Sequence, residues 1–152
     1  MDKNRFIKMG FKENDVETIS YVCLPKHIFK YREILNSRHS TGFPNIEDRP
    51  NSTVNGILYN IKNSVYEKLV KKRCRSSKND KKYKYLIKDV EVFDYDNCNN
   101  VYNAKTFIIH PLRLGDEVVP HIPALNHIVK TVLNIPNKSS YHIKRLTYLT
   151  RY

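Results

Sequence analysis

VNGILYNIKNSVYEKLVKKRCRSSKNDKKYKYLIKDVEVFDYDNCNNVYNAKTFII, residues 54–109, decides the fold. VNGILYNI, at 54–61, is apolar and β-branched on both faces, which suits a strand covered on each side. KNSVYEKLV follows at 62–70 and sets Val65, Tyr66, Leu69 and Val70 on one helical stripe. A basic loop leads to YLIKDVEVF at 85–93, the polar turn DYDNCNN at 94–100 and VYNAKTFII at 101–109. The order is strand, helix, loop, strand, turn, strand. Gly56, inside the first of these strands, reads either as a bulge or as a point where another backbone or a ligand comes close.

Upstream, residues 4–14 mix charge with Phe6, Ile7, Met9 and Phe11, which fits a short helix or a surface segment packed by its aromatics. ETISYVCLP at 17–25 reads as a strand that ends at Pro25, because proline cannot continue a central strand. KHIFKYREIL at 26–35 alternates so that it could extend that strand as a second one, with a helix as the competing reading. Residues 36–53 hold Ser37, Ser40, Gly42, Pro44, Asn45, Asp48, Pro50, Asn51 and Ser52, a density of turn formers that predicts a long loop of the ligand-covering kind.

Downstream, HPLRLGDEVVP at 110–120 turns at Gly115. Leu125, Ile128, Val129, Val132 and Leu133 then form one apolar helical stripe. Pro136 stops that helix, and Ile143, Leu146 and Leu149 give the stripe of a last one, with Ser139 or Ser140 as its N-cap. The prediction is a single α+β domain over 1–152: a mixed, curved or barrel-like sheet with helices at 64–73, 123–133 and 139–149.

With 152 residues and 40% hydrophobic content, the chain can bury a core without metal or disulfides. No segment offers the roughly 20 apolar residues of a membrane span, and MDKNRFIKMGFKEND is too polar for a secretory signal. A protein of a reducing, intracellular compartment that avoids membranes is expected. Cys23, Cys74 and Cys98 are too scattered for a disulfide framework or a C-x-x-C knuckle and read as free thiols. The net charge of +12 predicts a surface that attracts anions: nucleic acid, an acidic lipid or an acidic protein partner. The chain is also rich in Asn, Ile and Tyr, which share AT-rich codons with Lys. Coding bias therefore competes with a selected binding face as the source of the lysine excess.

Chemical motifs are sparse. Six histidines make no H-x-x-x-H pair, no carboxylate completes a ligand set, and neither a metal nor a cofactor is predicted. His39, Ser40 and Thr41 lack a nucleophile elbow. Asp94 and Asp96 belong to a turn by composition, while Glu47 with Asp48 and Asp116 with Glu117 fall on predicted loops with nothing to raise a pKa. The four glycines are too dispersed to cradle a phosphate. The basic loop, 68–88, is the densest feature: Lys71, Lys72, Arg73, Arg75, Lys78, Lys81, Lys82 and Lys84 are interleaved with Tyr83 and Tyr85. Such cations neutralise phosphates and such rings stack on unpaired bases, although a solvated charge run is an equal reading.

The order of the pieces resembles the gamma-glutamyl cyclotransferase family. CLPKHIFKYREIL stands where that family has a strand with leucine, glycine or proline, tyrosine and arginine. Val54, Gly56, Tyr59 and Ile61 stand for its V-x-G-x-x-Y-x-I phrase. Leu69 matches its helix; Tyr85, Val90 and Val92, then Ala104 and Phe107, match the strands that follow. Pro136 to Leu146, with Tyr141, looks like its closing phrase. The resemblance implies a ligand pocket at Gly56, Tyr59, Arg73, Tyr85 and Tyr141. It also implies a reaction in which a glutamate takes a proton from the alpha-amine of a gamma-glutamyl group, so that the amine closes 5-oxoproline, and then protonates the leaving amine. Two departures stand out. The family's opening Y-G-S-N phrase is matched only at Asn4, and the segment that should hold the glutamate reads LVKKRCR, with Arg73 or Cys74 in its place. Glu67 lies almost two helical turns earlier.

The leading expectation is a cyclotransferase-like domain without turnover, its basic former site holding an anion or docking on a protein or other macromolecular partner. The alternatives are a nucleic-acid-binding or ribonucleoprotein subunit that uses the basic loop, and an active cyclotransferase.

Overall fold

A computed structural model of the chain describes residues 3–35, 42–74, 83–119 and 126. The elements in order are helix α1 (Lys3–Lys8), strand β1 (Val16–Ile34), strand β2 (Phe43–Ile61), helix α2 (Asn63–Arg73), strands β3 (Tyr85–Asp94) and β4 (Val101–Ile109), and strand β5 (Leu114–Glu117). The sheet runs β2-β1-β3-β4, with β5 on the remaining length of β1, and every described ladder is antiparallel rather than mixed. This is the expected α+β class. Helix 64–73 appears as α2, the N-terminal segment is helical at α1, helix 139–149 lies outside the described residues, and so does all of 123–133 except Asn126.

β1 organises the sheet and corrects two expectations. It does not stop at Pro25: residues 26–34 extend it as strand, without a break into a second one, and the competing helix does not form. The strand passes the proline by an irregularity: Pro25 pairs with Thr53 but His27 with Asp48, Lys26 sits at φ 58, and residues 49–52 of β2 have no partner in the ladder with β1. The missing proline N–H thus falls where the ladder is already interrupted. The long loop expected at 36–53 is also overturned over 43–53, which belong to β2, while 36–41 lie outside the described residues. Pro44 is tolerated because β2 ends the sheet order, where an absent donor need not break a second ladder.

A bulge at the start of β1 sets which side of the sheet each residue covers. Thr18 pairs with Tyr59 and Ser20 with Leu58, so Ile19 is an extra residue. One inserted residue reverses the alternation. Val16 therefore joins Phe6, Phe11, Val65 and Leu69 in a core beneath the helices, together with Tyr59, Ile61 and Phe107. Beyond the bulge, Val22 and Leu24 face the other side and pack with Val92, Val54, Leu58, Val90, Tyr102 and Ala104. α2 contributes Val65 and Leu69, each 2% exposed, four residues apart on the stripe its sequence predicts.

The sheet curls so that its ends approach. Asn45, buried in β2, accepts a 2.9 Å hydrogen bond on Oδ1 from the Ile109 amide at the end of β4. A side chain there satisfies a backbone donor that would otherwise be buried. Between β3 and β4, the Asp94 carboxylate accepts from the amides of Asp96 and Asn97 at 2.9 and 3.0 Å, the turn role its composition predicts. Gly115 lies inside β5 rather than at a turn. A Cβ there would stand 2.9 Å from the Glu33 Cβ, so the glycine permits close approach of β5 to β1.

Candidate functional site

α2 ends in Lys71, Lys72 and Arg73, and Cys74 closes it with a 2.7 Å hydrogen bond from its amide to the Val70 carbonyl. Three cations in the last turn suit the negative end of the helix dipole, which is reason enough for their positions in α2. Burial of Val65 and Leu69 fixes the helix roll. That roll brings the Arg73 guanidinium over the Tyr85 ring, 5.7 Å from its centroid, at the first residue of β3. Lys71 and Lys72 are exposed beside it, and Lys84 and Tyr83 are exposed just before β3. The basic segment is accordingly not one loop: its beginning is helix and its end is strand. Arg75, Lys78, Lys81 and Lys82 lie outside the described residues.

The five residues of the implied pocket are divided. Arg73 and Tyr85 touch. Tyr59 packs edge-on against Phe6, centroids 5.3 Å apart, within the core beneath the helices. Gly56 pairs with Val22 and shares a face with Val54 and Leu58, two residues to either side, so it belongs to the sheet side opposite Tyr59. It sits in a regular stretch of the ladder rather than a bulge, and among the described residues a Cβ built there meets nothing within 4 Å. Tyr141 lies outside the described residues. Tyr59 also lines a shallow hollow of about 380 Å³ with Ile19, Leu58, Asn60, Val101, Tyr102 and Asn103, which includes neither Arg73 nor Tyr85.

Carboxylates bear on any proton-transfer role. Asp15 is held below its usual pKa by a hydrogen bond from Lys62 at 2.7 Å, and Asp48 by one from Lys88 at 2.7 Å. Asp94 is lowered chiefly by the Ser20 hydroxyl at 2.5 Å, with the turn amides adding to it. Glu47 is lowered mainly by Arg32, whose Nε and Nη2 donate to its two oxygens at 2.6 and 2.7 Å. Each of these is pushed toward permanent ionisation, whereas a carboxyl that must alternately take and give a proton near neutrality needs its pKa raised. The Cys74 thiol, next to Arg73, is pushed up by burial, away from the thiolate.

The Arg32–Glu47 fork is not visible in the sequence, because the turn formers around Glu47 predict a loop where β2 stands. Asn45 adds a longer contact to Glu47 at 3.4 Å, and Lys30 reaches Glu117 at 2.6 Å from β1 to β5. Nearby, His27 Nδ1 lies 2.7 Å from the Pro25 carbonyl, and its Nε2 lies 3.0 Å from Asp48 but out of line for a hydrogen bond. Asn45 and Glu47 alternating with Pro44 and Ile46 are the one signal for a strand here, and Pro44 with the nearby Pro50 masks it. No group of three or more His, Cys, Asp or Glu able to hold a metal occurs among the described residues. No helix among them is long and apolar enough to cross a membrane.

No family model matches the sequence, and neither does any curated protein. Solved structures do match. A gamma-glutamyl cyclotransferase superposes with a TM-score of 0.69 at 11% identity, over 91% of this chain and 75% of its own. YkqA from Bacillus subtilis gives 0.69 at 17% identity, over 99% of this chain and 51% of its own, so this chain spans about half of it. An uncharacterized protein from Homo sapiens gives 0.66 at 12% identity, over 91% and 75%. At such identity the likeness concerns architecture alone: the chain has the gamma-glutamyl cyclotransferase-like fold.

Proposed function

We propose that this domain keeps the cyclotransferase fold without the ring-closing reaction, and that the cationic end of α2 holds an anion or an anionic partner where the family holds its catalytic glutamate. The observation that carries this reading is Arg73 over Tyr85. In the family's order of elements, the helix after V-x-G-x-x-Y-x-I delivers a carboxylate at its end. Here the corresponding turn delivers Lys71, Lys72 and Arg73. A guanidinium keeps its protons at physiological pH and cannot accept one from an alpha-amine. The lowered pKa values of Asp15, Glu47, Asp48 and Asp94 support the same conclusion, since none of these four is tuned for proton exchange.

The test is release of 5-oxoproline from glutathione, gamma-glutamyl amino acids and gamma-glutamyl-lysine, followed by mass spectrometry. The expected result is release no faster than in buffer. Protein-dependent release that disappears in Tyr85→Phe would restore the domain to the enzymes.

A further inference from the structure

We infer that the anion is a single strand of nucleic acid, bound across the last turn of α2 and the first residues of β3; this rests on the anion-binding reading above. Two independent features of the surface point there. The first is charge availability. Lys30, Lys62, Lys88, Lys105 and Arg32 each pair with a carboxylate: Glu117, Asp15, Asp48, Asp89 and Glu47 respectively. Lys71, Lys72 and Lys84 are exposed and have no ion pair. Glu67, one turn before Lys71 and well placed to pair with it, does not do so. Lys8, Lys26 and Arg49 are exposed as well, but on separate elements. At the α2–β3 junction, by contrast, the Arg73–Tyr85 contact joins the helix turn that carries Lys71 and Lys72 to the strand start that follows Lys84.

The second feature is aromatic surface among those cations. Tyr83 is 51% exposed, one residue before Lys84, and half-buried Tyr85 holds the Arg73 guanidinium over its ring. Phosphates alone would be served by lysines. An acidic peptide would be too, and neither ligand explains an open tyrosine between Lys84 and the helix end. An unpaired base uses both parts, its phosphate neutralised by lysine and its face stacked on the ring. Duplex bases are already stacked on one another and leave such a ring unused.

The experiment is fluorescence anisotropy of the whole chain with a labelled thymidine oligonucleotide of about ten nucleotides, repeated across a salt series. Binding to the single strand is expected to exceed binding to a duplex of equal length. The logarithm of affinity should fall linearly with that of salt, at a slope near −0.7 per phosphate neutralised. Lys71→Glu with Lys72→Glu should weaken binding at least tenfold and flatten the slope. Tyr83→Ala should weaken it about fivefold or more and leave the slope unchanged. All three residues are exposed, so circular dichroism of the variants should match the parent.

Equal affinity for single strand, duplex and polyglutamate, or indifference to both sets of substitutions, would overturn the assignment. The two readings can fail separately. If pyrophosphate binds and is lost in Lys71→Glu with Lys72→Glu while the oligonucleotide does not bind, the anion site stands and its ligand is not nucleic acid. If 5-oxoproline is released, the loss of turnover fails, whatever the oligonucleotide does.

Discussion

Two charged regions of this molecule use the same kinds of residue to opposite ends. Around the far half of β1, Lys30 and Arg32 reach Glu117 and Glu47 across strand boundaries, and Asp48 receives Lys88 from β3. The fork of Arg32 on Glu47 joins residues whose side chains are 20% and 23% exposed. Where α2 ends and β3 begins, Lys71, Lys72 and Lys84 face solvent without partners, and Arg73 rests on a ring rather than a carboxylate. The first arrangement fixes strand register. The second leaves charge unspent for something from outside. A net charge of +12 cannot distinguish them, because sign and number are the same whether a cation is paired or free.

The comparison can be broken most sharply at Glu47. Glu47→Ala removes both acceptors of the partly exposed Arg32 guanidinium and is expected to cost about 1–2 kcal/mol in urea unfolding, well under the penalty for a fully buried pair because a fifth of each side chain meets water. A loss under half of that would mean the fork is ornamental. The pH dependence follows with a definite sign. Arg32 lowers the folded-state pKa of Glu47 below its usual 4.5. Its stabilising contribution is therefore whole above that value and drains away as pH falls through the lower folded value. The stability gap between the parent and Glu47→Gln should accordingly shrink between neutral pH and pH values near 3. A gap that widens with acid would reverse the assignment.

Smaller effects belong to the other region. Arg73→Ala removes a partly exposed cation from a ring and should lower stability by about 0.5–1 kcal/mol. Lys71→Glu with Lys72→Glu opposes the helix dipole only at a solvated end, and at moderate salt should change stability by about 0.5 kcal/mol or less. If that double variant destabilised the protein as much as Glu47→Ala, its lysines would be structural too, and the contrast between the regions would disappear.

Much of the architecture was legible because local chemistry and tertiary role agreed. β3 and β4 are proline-free alternating runs around an Asp- and Asn-rich turn, and α2 shows its Val65 and Leu69 stripe directly. The opening half of β2 was hidden by Pro44 and Pro50, residues that mean a loop unless the strand is known to end the sheet order. The continuation of β1 past Pro25 was hidden likewise, since the bulge that accommodates it exists only in the pairing with β2. In the candidate site, helical spacing placed Arg73 at the end of α2, but its contact with Tyr85 depends on how that helix lies on the sheet. The fork was beyond reach, because Arg32 meets Glu47 by a register that no single strand encodes.

The most direct test is a pyrophosphate titration followed by NMR at the backbone amides and the arginine Nε–H groups. Shifts confined to Lys71, Lys72, Arg73 and residues 83–85, with Arg32 unmoved, are the predicted result. Shifts centred on Lys30, Arg32 and Lys88, or spread evenly over every lysine, would contradict it.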